Sequence, residues 1–168
     1  VYGDRAHVCP DCDGFGARDR KTVVIGKGRK AVGMALNLLT WTNDVTVCTN
    51  GEDPGFDEYL AAKLERHAIP VYEDRVERVN QREGSLRSLH FADGRTLGCE
   101  KIFFAIGQYP ADDLGAQLGC ERDDDGHVVV DRHYHTSVRN VFAAGDIIPG
   151  PQLGIVAAAD GAVAALAM

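Results

Sequence analysis

Lys21-Thr22-Val23-Val24-Ile25-Gly26-Lys27-Gly28-Arg29-Lys30-Ala31 decides the fold. The β-branched run Thr22 to Ile25 predicts a strand. The apolar positions Val32, Ala35, Leu36 and Leu39 beyond the glycines predict a helix. Between them lies G-x-G-x-x-A. In this pattern the first glycine permits a tight turn, the second lets a pyrophosphate approach the backbone, and a small third residue lets helix pack on strand. Asp44 to Cys48 supplies the next strand at about the expected distance. Gly26, Gly28 and Ala31 are therefore candidate dinucleotide-binding positions.

Downstream, Pro54 to His67 predicts a second helix, with Pro54 at its start and Leu60, Leu64 and His67 on one face. Val71-Tyr72 is a short strand. The pattern then changes to Val76–Val79, Leu86–Phe91 and Thr96–Cys99, separated by Glu83-Gly84 and Asp93-Gly94, which predicts an antiparallel meander. Ile102 to Ile106 is continuously apolar, as a strand buried on both faces should be, and stops at Gly107. Further on, 112–118 is expected as a short helix and Val128–Val130 as a strand. Asn140 to Asp146 is expected as a strand ending in Gly145-Asp146, followed by a Pro/Gly-rich turn and an alanine-rich helix. The expected fold class is α/β: a Rossmann-like nucleotide-binding domain with a parallel sheet and an antiparallel β-meander.

Upstream of the glycine loop stands Cys9-Pro10-Asp11-Cys12-Asp13-Gly14. In a C-x-x-C segment one thiolate attacks a target disulfide while the other resolves the mixed disulfide. Asp13 is placed to exchange a proton with the departing thiolate. The same spacing is half of a zinc site, but Cys48, Cys99 and Cys120 are scattered singly and form no second pair. Dithiol redox chemistry is the favoured reading, against zinc and against inert cysteines.

Composition bounds the rest. The chain has 168 residues, 45% of them hydrophobic, enough for an ordinary core. A net charge of −7 without a basic stripe argues against a nucleic-acid partner. The longest apolar stretch, Leu153 to Met168, is interrupted by Asp160 and too short to span a bilayer. No membrane association is expected. Five cysteines, an odd number, and no leader pattern fit a reducing cytoplasm. Because it starts at Val1, only a few residues before the dithiol, the chain is expected to be the middle of a longer gene product.

With these motifs in order, the chain resembles the low-molecular-weight thioredoxin reductase family of FAD-dependent pyridine nucleotide–disulfide oxidoreductases. The resemblance runs over nearly the whole chain. Cys9 to Gly14 matches the C-x-x-C-D-G redox centre, which implies that Cys12 faces the flavin and Asp13 is the acid/base. Gly26 to Ala31 matches the nicotinamide-nucleotide loop, and Phe104-Ala105-Ile106-Gly107 the motif closing that domain. Val141 to Asp146 matches the flavin motif in which the aspartate, with Gly145 before it, bonds the ribityl chain. Gln152 and Leu153 begin the segment that corresponds to the helix start near the isoalloxazine ring. The implied domains are 1–107, carrying the dithiol and an NAD(P)-binding-type fold, and 108–168, the C-terminal strand and helix of a flavin domain. The family's opening G-x-G-x-x-G flavin segment has no counterpart before Cys9. The chain is thus expected to be the second half of such an enzyme, to retain FAD poorly by itself, and to form a homodimer when full length.

The resemblance implies electron flow from NADPH or NADH through FAD to the Cys9–Cys12 disulfide and on to a thioredoxin-like protein or a small dithiol or disulfide substrate. A flavin-dependent dithiol oxidase, a ferredoxin-dependent reductase and a non-catalytic interaction module are the alternatives. Val47-Cys48-Thr49-Asn50-Gly51 replaces the family's His-Arg-Arg grip on a 2′-phosphate, and Asn50 is the candidate ribose contact. Lys27, Arg29 and Lys30 are expected mainly as solvated charges. His133 and His135 share a face of an extended segment but lack a third ligand, so no metal site is expected. Asp123-Asp124-Asp125 reads as a solvated turn, and Trp41 as core or interface packing.

Overall fold

The computed structural model describes residues 3–107, 110–111 and 113–168. The chain folds as two units, Val1–Gly107 and Gln108–Met168. In the first, the β-branched run forms β2 (Thr22–Gly26), flanked by the other apolar segments in a five-stranded sheet. Its members are β1 (Ala6–His7), β3 (Val45–Cys48), β4 (Val71–Tyr72) and β8 (Lys101–Ala105), in the order β1-β8-β2-β3-β4. All four pairings are parallel, with Val23 beside Thr46 on one side and Ile102 on the other. β1 is an addition to the sequence reading: two residues carry too little periodicity to announce a strand, and pairing with β8 creates it.

Helix α2 (Gly28–Leu38) buries Ala31, Val32, Ala35 and Leu38, one stripe at helical spacing, against Val24, Val47 and Phe103. Helix α3 spans Glu58–Arg66, shorter than the predicted Pro54 start, because Asp57 accepts the Leu60 N–H at 2.8 Å and so fixes the N-cap there. Pro54 instead offers its carbonyl to the Gly28 N–H. α3 ends in paired bonds from Ala68 N–H to Glu65 and from Ile69 N–H to Leu64, with Ala68 left-handed at φ 52°.

The meander forms as β5 (Val76–Arg82), β6 (Ser85–Phe91) and β7 (Thr96–Gly98), an antiparallel sheet in that order. Leu86, Leu89 and Phe91 join Val23, Cys48 and Ile102 in a second core on the opposite side of the parallel sheet from the helices. Trp41 is packed, as expected: it borders the α2 core and meets Phe15 edge-on at 5.8 Å.

The second unit departs from expectation. Val128–Val130 and Asn140–Asp146 are not strands; only the isolated bridges Arg122 to Val128 and His135 to Phe142 form. A strand is defined by its neighbour's ladder, and within this unit the described residues give each segment a single bridge partner. Helix α4 is Leu114–Gln117; Asp112, the predicted start, lies outside the described residues. α5 (Gly154–Ala167) forms as expected. Among the described residues no helix is long and apolar enough to cross a membrane.

Candidate functional site

The dithiol sits on α1 (Pro10–Asp13), a single turn that the sequence reading did not anticipate. Pro10 fits the first helical position, where its missing N–H costs nothing, and Cys9 is the N-cap. Cys9 and Cys12 form a disulfide with Cα atoms 5.3 Å apart, and the Cys12 N–H donates to Cys9 Sγ at 3.1 Å. Cys12 is exposed and Cys9 half-buried. Gly14 closes the turn by donating its N–H to Pro10, and any side chain there would collide with the Trp41 indole.

Asp13, half-buried, points its carboxylate at an unforeseen partner: Oδ2 lies 3.3 Å from Nδ1 of buried His7 on β1. Behind the imidazole, Nε2 lies 3.2 Å from the Asp4 carbonyl and 3.5 Å from Nζ of buried Lys101. No sequence motif marks His7 or Lys101. They are 94 residues apart, and the β1–β8 register alone brings them together.

The glycine loop of the same unit borders a cleft of about 330 Å³ lined by Gly26, Lys27, Lys30, Thr49, Asn50, Glu52 and strand-end residues of β2 and β8. The loop's glycines work differently from the sequence expectation. Gly26 is needed for strand packing, since a Cβ there would lie 2.5 Å from the Ala105 carbonyl oxygen, whereas Gly28 takes the left-handed turn at φ 59°. Beyond Gly28 a Cβ would meet nothing closer than 4.0 Å, which leaves space for a ligand over the backbone. Ala31 is fully buried, as a small third residue should be. Gly107 turns the chain at φ 91° with Lys30 nearby.

Asn50 lines the cleft; its Oδ1 accepts the Val76 N–H at 2.9 Å, which orients the side chain and leaves its amide nitrogen to donate to a ligand. The acid that sequence reasoning missed is Glu52. It lies two residues past Asn50 and pairs with Lys27 at 2.5 Å, raising the pKa of that exposed ammonium through the hydrogen bond. The signal was available, because an acid shortly after the second strand of such a unit commonly binds ribose.

In the second unit Gly145 begins a 3-10 turn, Gly145–Ile147, at φ 78°, with space for a Cβ only 3.3 Å from Ala157 of α5. Asp146 is exposed, and its carbonyl accepts from Gln152 Nε2 at 3.4 Å. Leu153 is the N-cap of α5. His135 pairs with Asp131 and packs on Phe142 rather than joining His133 in a chelate. Among the described residues no cluster of three or more His, Cys, Asp or Glu side chains is arranged to hold a metal. Asp123 caps its own turn by accepting from Asp125 and His127 N–H groups.

One unit thus carries both a two-cysteine turn and a βαβ cleft with a glycine-lined entrance. The comparisons agree: residues 2–161 match the family model for pyridine nucleotide-disulphide oxidoreductases, and the chain belongs to that family. It is 32% identical to thioredoxin reductase of Treponema pallidum, covering 94% of this chain and 53% of that protein. It is 29% identical to dihydrolipoyl dehydrogenase of Geobacillus stearothermophilus, covering 92% of this chain and 35% of that one. The solved thioredoxin reductase of Giardia duodenalis superimposes with a TM-score of 0.83 at 25% identity, over 98% of this chain and 57% of its own. The chain thus spans about a third to a half of the relatives' length.

Proposed function

We propose that this chain carries the dithiol and nucleotide-handling portion of a thioredoxin-reductase-like enzyme that moves electrons from NADH or NADPH to a protein disulfide. The observation that supports this most directly is the formed Cys9–Cys12 disulfide on an exposed turn beside an acidic side chain. Gly26, Gly28, Ala31 and Gly107 would hold the nicotinamide dinucleotide, its pyrophosphate over the open backbone at Gly28. Glu52 and the free amide of Asn50 face the ribose end. Lys27 is held by Glu52 rather than free to grip a 2′-phosphate, so the two donors are expected to bind within about tenfold of each other.

The turn at Gly145 and Asp146, with Gln152 and Leu153 at the start of α5, fits a flavin's ribityl chain and ring edge. Close approach at Gly145 is enforced by Ala157, and the Asp146 carboxylate is open to solvent. When bound there, FAD supplies two-electron exchange between nicotinamide and dithiol. Cys9 exchanges with the substrate disulfide, Cys12 resolves, and Asp13 holds the proton that moves with the Cys12 thiolate. Residues 1–107 then form the dithiol and nucleotide domain and 108–168 contribute to the flavin domain. A thioredoxin-like protein is the proposed partner.

The test is Cys12→Ser in the full-length protein, assayed against the unmutated full-length protein with FAD, NADH or NADPH and oxidised thioredoxin. Loss of all disulfide turnover is expected, while nucleotide binding at the Gly28 cleft persists. Undiminished turnover would sink the redox assignment.

A further inference from the structure

We propose that His7 is a positioning residue for the dithiol step: it grips the Asp13 carboxylate from beneath and is itself held by Lys101 and the Asp4 carbonyl. This rests on the reading of Asp13 as the acid/base.

His7 Nδ1 and Asp13 Oδ2 lie 3.3 Å apart, so in the tautomer that carries its hydrogen on Nδ1 the imidazole turns a donor toward the carboxylate. Nε2 then has two possible partners, and each serves a different charge state. Unprotonated, it accepts from Lys101 Nζ at 3.5 Å; protonated, it donates to the Asp4 carbonyl at 3.2 Å. The donor to Asp13 is preserved either way.

The frame around it is rigid. His7 and Lys101 are each only 6% exposed, and the imidazole packs on Phe103 with ring centroids 5.2 Å apart. His7 is paired with Phe103 in register, and Lys101 shares the Phe103 face two residues earlier on β8. Lys101 Nζ is anchored by donating to the Asp4 carbonyl at 2.5 Å. Burial lowers the pKa of this ammonium, Arg5 and Arg20 add to that, and Asp4 and Asp13 oppose it. An ammonium taken so far from water needs acceptors, and the imidazole is one of them.

The assay uses the full chain and needs no flavin. In it dithiothreitol reduces the disulfide: one of its thiols gives its proton to solvent and attacks Cys9 Sγ, the Cys9–Cys12 bond breaks, and Cys12 leaves as a thiolate that takes up a solvent proton relayed by the Asp13 carboxylate. The second dithiothreitol thiolate then displaces Cys9, so two electrons and two protons pass to the cysteines and the reagent ends as its cyclic disulfide. Rates are read by acid quench, alkylation and mass spectrometry.

Asp13→Asn is expected to slow this reduction by roughly 10²–10⁴-fold. His7→Leu is expected to slow it by about 10–100-fold through misplacement of the carboxylate. His7→Asn, whose amide can still donate from the Nδ1 position, should recover most of the loss. In the Asp13→Asn background, His7→Leu should change the rate by no more than about twofold, the ordinary error of additivity. A His7→Leu effect that persists in full in that background makes His7 merely structural and overturns the inference. An unchanged rate in His7→Leu, with Asp13→Asn still slow, overturns it while leaving the acid/base reading intact. An unchanged rate in Asp13→Asn removes both. Circular dichroism melts accompany each variant, and if His7→Leu does not fold, a His7→Asn rate as slow as that of Asp13→Asn overturns the proposal.

Discussion

Val1–Gly107 and Gln108–Met168 solve the same problem, burying apolar chain without stranding backbone polar groups, with unequal means. In the first unit, among the described residues, eight strands pair into two sheets whose common core joins Val23, Cys48 and Ile102 to the meander's Leu86, Leu89 and Phe91. In the second, among the described residues, extended segments meet through isolated bridges around a core of Cys120, Val128, Ala143 and Ile148. α5 buries only Ala164, while Ile155 and Leu166 stand 78% and 89% exposed. The dithiol and the glycine loop are therefore positioned by a ladder and two cores, whereas the Gly145-Asp146 turn is positioned by local hydrogen bonds and by an approach to Ala157 that leaves little room for a Cβ at Gly145.

If that contrast is right, equal-sized insults have unequal costs. Phe103→Ala, at a fully buried ring that packs on both His7 and the α2 core, is expected to cost about 3–5 kcal/mol in urea denaturation. Ile155→Ala on α5 should stay within about 0.5 kcal/mol. Comparable losses from the two would abolish the distinction.

A smaller effect probes the first unit's core through pH. Burial pushes the Cys99 thiol from its ordinary 9.0 up to about 12, and the thiol donates to the Lys101 carbonyl at 3.1 Å. The neutral thiol is the form the fold keeps. Its stabilisation is complete below pH 9, where the unfolded thiol is also protonated, and is lost as pH rises from there toward about 12. By about pH 10.5 the loss should reach about 2 kcal/mol relative to pH 8. Cys99→Ala should show a flatter alkaline limb in the same denaturation series; an identical slope would mean that Cys99 ionises freely in the folded chain.

The smallest expected effect lies at the C-terminus of α3. Ala68 occupies the left-handed position that ends the helix, where a Cβ is strained. Ala68→Gly should therefore stabilise the chain by about 0.5–1 kcal/mol, offset in part by glycine's greater unfolded freedom. A lower melting temperature in that variant would show that the turn's hydrogen bonds, not its φ, set the local energy.

The sequence by itself determined what depends on neighbours along the chain. The β-branched run and the 3.6-residue apolar stripe were enough for β2 and α2, the Glu83-Gly84 and Asp93-Gly94 turns for the meander, and the two-residue cysteine spacing for a dithiol. Gly28 and Gly145 were legible as special positions because only glycine takes their φ cheaply. Tertiary structure alone decided what depends on pairing across the chain. It made a strand of Ala6–His7 and withheld strands from Val128–Val130 and Asn140–Asp146, because a ladder needs a partner that local pattern does not reveal. It also placed Glu52 on Lys27, and Lys101 behind His7 beneath Asp13. Such side chains carry no periodic signal, and it is parallel register, not sequence spacing, that converts 94 residues of separation into 3.5 Å.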